Sequence, residues 1–86
     1  MNRARVEAGE VAYLDEGDGP AALLLHGFPT SSHLWRREIP LLASRMRVIA
    51  PDLLGYGQSE HPTGADLSMT AQAVAVRQLQ IGRAHV

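Results

Sequence analysis

Polar and apolar positions change rhythm along this chain, and the changes mark its elements. Arg3 to Glu7 and Val11 to Asp15 alternate weakly, with Val11 and Tyr13 on one face and Ala12 and Leu14 on the other. A period of two suits strands, and Ala8-Gly9 between the two runs predicts a β-hairpin. Glu16-Gly17-Asp18-Gly19-Pro20 reads as a turn, since glycine frees φ and proline fixes it. Ala22 to Leu25 is apolar throughout, and Arg47 to Ala50 is a second such strand, stopped by Pro51. Strands without alternation are those covered on both faces of a parallel sheet.

Between these strands, Ser32 to Ala43 is helical in pattern, and Ser31 or Ser32 can accept a backbone N–H at its start. Pro40 lacks an N–H and crowds the preceding turn. The expectation is therefore a short turn over His33 to Arg36 and a second helical piece with Pro40 at its first position. Strand, helix and parallel strand make a βαβ unit with a right-handed crossover. Asp52 to Gly64 is a glycine- and proline-rich loop, and Met69 to Gln80 is a second helix, rich in alanine and capped by Ser68. The order β, β, β, α, β, α predicts an α/β fold in which an antiparallel hairpin leads into parallel strands with crossover helices.

With 86 residues the chain forms one small domain with a thin core. The net charge of −1 is dispersed, which argues against nucleic acid or an anionic membrane as a partner. The chain has no cysteine, so disulfides and thiolate metal sites are excluded. His33, His61 and His85 lack ligand spacing, so no metal is expected. Gly55-Tyr56-Gly57 lacks the third glycine and the strand–helix setting of a nucleotide fingerprint, so no such cofactor is expected either. The first dozen residues hold no apolar signal core, and the longest apolar run, Ala21 to Leu25, is too short to span a bilayer. A cytoplasmic location is the expectation.

The chemistry is concentrated in Leu23 to Trp35, LLLHGFPTSSHLW, where an apolar strand ends on His26-Gly27 and turns through Phe28-Pro29. Open α/β sheets bind ligands at the carboxyl ends of their strands. Gly27 permits a turn that a side chain would block, and Pro29 stiffens the chain beyond it. Such a bend can aim the Phe28 N–H into the crevice, where a fixed, partly dry donor suits a developing oxyanion. The same residues also fit a tight strand-to-helix turn around a partly buried histidine. Asp52, at the end of the next strand, is read as accepting loop N–H bonds rather than as a nucleophile. Ser59 is read as a loop hydroxyl and Trp35 as a core anchor.

His26-Gly27-Phe28-Pro29, then Trp35, then Ala50-Pro51-Asp52-Leu53-Leu54-Gly55-Tyr56-Gly57-Gln58-Ser59 resembles the amino-terminal third of the α/β-hydrolase fold. Within that superfamily, HGFPTSSHLWRREIP and PDLLGYGQSE are most similar to haloalkane dehalogenases, epoxide hydrolases and their esterase-like relatives. The resemblance implies a hydrolase acting on an ester, epoxide or carbon–halogen bond of a small molecule by nucleophile, histidine and acid. It implies that Phe28 donates one oxyanion N–H and that His26, Gly27 and Pro29 shape the loop. It also implies that the catalytic histidine lies further along, and that nucleophile and second donor sit on an elbow of G-x-S-x-G form or its aspartate variant. Dehalogenases often carry asparagine where Phe28 stands, so phenylalanine points toward an epoxide hydrolase or esterase. No elbow occurs in these residues, so the fold is expected to be incomplete and the chain inactive alone.

Ile81 to Val86, IGRAHV, is open to two readings. Arg83 to Val86 could open a further strand. Alternatively, the six residues translate a common sequencing adapter, ATC GGA AGA GCA CAC GTC and a stop, whose preceding AG completes a glutamine codon like that of Gln80. In the resembled family the second helix runs about one further turn before the next strand, whereas only Gln80 separates Leu79 from Ile81. The abrupt junction favours the adapter, so residues 1–80 are taken as the hydrolase piece and 81–86 as a non-native tail. A different class of function is a short non-catalytic protein that binds a partner through an exposed sheet edge. Against it, Ala22 to Leu25 carries neither charge nor proline to blunt such an edge, which makes the chain prone to aggregation.

Overall fold

The hairpin forms where the alternation ends. β1 (Asn2–Val6) and β2 (Gly9–Glu16) pair antiparallel, with Val6 opposite Gly9 and Asn2 opposite Tyr13. β2 then outruns its partner, and Tyr13 to Glu16 pair antiparallel with β4 (Arg47–Pro51). β4 pairs on its other side with β3 (Ala21–Leu23), in parallel, so the four-stranded sheet has the order β1-β2-β4-β3. The computed structural model describes residues 1–27, 30–64 and 66–80. The suspected tail, 81–86, lies outside the described residues.

The helices explain why β4 shows no alternation. Ile49 packs with Val6, Val11, Tyr13, Leu54, Ala75 and Leu79 on the face covered by α2 (Met69–Leu79). Val48 and Ala50 point the other way, onto Ile39 of α1 (Glu38–Ala43), with Leu14, Leu24, Trp35 and Leu42 around them. Three successive residues of β4 are thus fully buried because both faces of the strand are roofed. The expected division of β2, Val11 and Tyr13 against Leu14, is the one observed. The turn before β3 depends on its glycine: Gly17 has φ +86°, and a Cβ there would lie 2.1 Å from Met46 O and 2.6 Å from Ala43 O.

Several boundaries differ from the sequence reading. β3 ends at Leu23 rather than Leu25, although Leu24 N–H still donates to Ile49 O at 2.9 Å. Beyond Leu24 the chain leaves the ladder to bring His26 against Leu53. The short turn is a 3-10 helix over Ser32–Trp35, capped by Ser31 Oγ, which accepts His33 N–H. α1 starts at Glu38, so Pro40 is its third residue and not its first. The opening N–H groups of a helix have no partner within it, so proline there loses no bond. Pro51 closes β4 instead of stopping short of it, and Asp52 N–H makes the next bond, to Ala12 O at 2.8 Å. α2 begins as read, with Ser68 Oγ accepting Ala71 N–H at 3.3 Å.

One ion pair spans β2 and β4 diagonally. Arg47 Nε and Nη2 donate to Asp15 Oδ1 and Oδ2 at 3.0 and 2.7 Å. This fork, chiefly through its hydrogen bonds and opposed by desolvation, holds the Asp15 carboxyl below its ordinary 3.8. A carboxyl depressed in the folded state stabilises the fold above its ordinary value, and the gain is lost as pH falls through the folded value. The melting temperature is therefore expected to drop between pH 5 and pH 2 by more in the parent chain than in Asp15→Asn. Parallel curves from thermal melts at a series of pH values would refute the assignment.

Candidate active site

β3 and β4 run parallel, so their carboxyl ends open on the same rim, and the chemistry-bearing segments leave from there. His26 follows β3, and Asp52 and Leu53 follow β4. The His26 ring is buried and joins the two exits: Nε2 accepts Leu53 N–H at 2.9 Å, and Nδ1 lies 3.0 Å from Gly27 O. A nitrogen that accepts carries no hydrogen, so the neutral ring holds its proton on Nδ1 and donates to Gly27 O. Tyr56 meets this ring in a T-shaped arrangement, with centroids 5.5 Å apart.

Gly27 O is the knot of the bend. Besides His26 it accepts Thr30 N–H at 2.9 Å and the Thr30 hydroxyl at 2.6 Å. The base of the bend is therefore tied across residues 27 and 30, while Phe28 and Pro29, the expected donor and stiffener, lie outside the described residues. The expected steric need for glycine at position 27 is not met. Among the described residues nothing lies within 4 Å of where its Cβ would stand.

Asp52 is 2% exposed and engages backbone with both oxygens. Oδ1 accepts Ser32 N–H at 2.6 Å, at the start of the 3-10 helix, and Oδ2 accepts Gln58 N–H at 2.8 Å. Gly57 sits against it with φ +52°, and a Cβ there would be 2.3 Å from Oδ2, so glycine is required. Ser59 completes the clamp: its hydroxyl accepts Ala12 N–H at 2.8 Å and donates to Asp52 O. Asp52 thus accepts loop N–H bonds, as the sequence reading gave it, and Ser59, read only as a loop hydroxyl, also ties the loop to β2. Trp35 lies under the sheet with Ile39 and Val48, as a core anchor would.

Sequence reasoning missed Gln72. Its buried amide accepts Leu54 N–H at 3.1 Å and donates to Leu54 O at 2.7 Å, fastening the second loop to α2. The signal was a lone polar residue on the stripe Gln72, Ala75, Leu79 that α2 buries. His33 and His61 are exposed, and among the described residues no cluster of histidine, aspartate or glutamate could hold a metal. No described helix is long and apolar enough to cross a membrane. Asp66, in the loop before α2, has its carboxyl held below its ordinary 3.8 by the Ser68 N–H it accepts at 2.9 Å.

Comparison with known proteins bears on the fold. A family profile described as "alpha/beta hydrolase fold" matches residues 20–86. The chain is 48% identical over 67 residues to a fluoroacetate dehalogenase of a Burkholderia species, which covers 76% of the chain and 22% of that protein. It is 50% identical over 54 residues to an epoxide hydrolase of Caballeronia sordidicola, covering 62% of the chain and 16% of the relative. Among solved structures, a thermophilic esterase from Thermogutta terrifontis superposes with a TM-score of 0.86 at 32% identity, covering 94% of this chain and 32% of the esterase. The chain therefore spans between about a sixth and a third of the length of these relatives.

Proposed function

The chain belongs to the α/β-hydrolase fold family, and from that premise we propose that its rim bend is the oxyanion loop of a hydrolase acting on an ester, epoxide or carbon–halogen bond of a small molecule. Phe28 N–H is the donor in this reading, and His26, Gly27 and Pro29 shape the loop that carries it. The observation that carries the proposal is the His26 bridge. One buried ring ties the bend after β3 to the loop after β4, at the rim where this class of sheet binds ligands.

The chemistry depends on where charge builds. A nucleophile attacking an ester carbonyl pushes electrons onto its oxygen, and a fixed N–H stabilises that oxyanion. In an epoxide or carbon–halogen reaction the same donor acts later, when water attacks the covalent ester intermediate. Nucleophile, histidine and acid are proposed to lie outside residues 1–80. The polypeptide by itself is therefore expected to show no turnover of a nitrophenyl ester above an albumin control. Residues 1–80 joined in frame to the remaining part of the Burkholderia relative are expected to hydrolyse one of the three bond types. A joined protein that folds but hydrolyses none of them would overturn the proposal.

A further inference from the structure

Gly27 O accepts an unusual set of donors. His26 Nδ1 donates at 3.0 Å, Thr30 N–H at 2.9 Å and the Thr30 hydroxyl at 2.6 Å. A carbonyl oxygen offers two lone pairs, so these three donors more than fill it. The oxygen belongs to the peptide unit that Gly27 shares with Phe28. A trans peptide is planar, and its C=O and N–H point in opposite directions. Whatever holds the Gly27 oxygen therefore also aims the Phe28 N–H.

That peptide plane needs holding. Glycine turns about its backbone bonds more freely than any other residue, and among the described residues nothing lies within 4 Å of where a Cβ at position 27 would stand. A half-turn of the plane would put the carbonyl oxygen where the N–H had been, and would offer a developing oxyanion an acceptor in place of a donor. Two of the three donors have other work in the fold. The His26 ring is buried and also accepts Leu53 N–H at 2.9 Å, and the Thr30 N–H closes the backbone turn across residues 27 and 30. The Thr30 hydroxyl differs from both. Thr30 is exposed, so its Oγ1 can exchange this bond for one to water, and an exposed bond of this kind adds little to stability. What the short contact fixes is direction. Donation onto the oxygen also polarises the amide, which strengthens the N–H at its other end.

We propose that Thr30 is a positioning residue: its hydroxyl holds the Gly27–Phe28 peptide with the oxygen turned into the bend and the N–H turned out toward the rim, without itself touching substrate. The inference rests on the oxyanion role proposed above for Phe28. In residues 1–80 joined to the remaining part of the Burkholderia relative, Thr30→Val keeps the branched shape and the backbone N–H and removes only the hydroxyl. It is expected to lower kcat about five- to tenfold, the share one hydrogen bond carries, with KM within about twofold, and Thr30→Ser should recover most of that loss. The melting temperature should stay within a few degrees of the parent, as suits an exposed bond. A further readout needs no turnover: in the 86-residue chain, Thr30→Val should move the carbonyl-carbon resonance of Gly27 and the amide-nitrogen resonance of Phe28, and Thr30→Ser should move them back. Full kcat in Thr30→Val, a loss that serine does not recover, a loss borne by KM alone, or unmoved resonances would each overturn the positioning role. Phe28→Pro no worse than Phe28→Ala would sink the oxyanion reading and take the catalytic value of the hold with it. Phe28→Pro at an oxyanion-sized loss beside a fully active Thr30→Val would sink the positioning role alone.

Discussion

In the joined protein, Phe28→Pro is expected to lower kcat by about 100- to 1000-fold, the usual effect of deleting one oxyanion donor, whereas Phe28→Ala should cost no more than about tenfold. The two substitutions separate backbone from side chain. Both remove the phenyl ring, but only proline removes the N–H. Neighbouring Gly27 has no Cβ to clash with the proline ring, so it accepts the extended conformation that proline imposes on the residue before it. Thr30 keeps the base of the bend tied to Gly27 in either variant. The loss should fall on kcat rather than KM, because the bond strengthens as charge develops. Equal losses in the two variants would instead assign the effect to the ring, and the oxyanion role of position 28 would be withdrawn.

How much of this was readable in advance divides by physical cause. Strand identity in β4 and the two-faced burial of β2 were legible because hydrophobic periodicity records burial directly. Ser68 was legible as a cap for the same local reason, a hydroxyl within reach of an N–H three residues on. The start of α1 was misplaced because proline is compatible with any position in an opening turn, so Pro40 alone does not fix the boundary. The antiparallel pairing of β2 with β4 was not legible, because it joins segments some 35 residues apart and no local pattern encodes it. The same limit applies at the site. HGFP marked the bend, but the bond from Leu53 to the His26 ring and the hold of Gln72 on Leu54 are long-range pairings. A histidine at a strand end carries no sign of which backbone group it will meet.

Asp52 shows what such pairings are worth, and its removal should have the largest effect on stability. Asp52→Ala leaves Ser32 N–H buried without an acceptor and frees Gln58 N–H in a partly buried loop. A buried donor left unpaired costs about 1–3 kcal/mol, and the bond to Gln58 adds to this, while release of a buried carboxylate offsets part of it. A net loss of about 2–3 kcal/mol corresponds to roughly 10–20 °C in melting temperature for a domain of this size. Asp52→Asn should fare nearly as badly, because its amide NH2 must face one of the two backbone donors. Melts of the 86-residue chain, followed by far-ultraviolet dichroism, measure the loss, and the joined protein assayed well below its midpoint measures any chemical role. A clamp predicts a large fall in melting temperature with kcat largely retained in the folded protein. A nucleophile predicts the reverse, with turnover abolished in Asp52→Asn and stability intact. That second outcome would show the Ser32 and Gln58 bonds to be incidental and move the nucleophile from outside residues 1–80 to the end of β4.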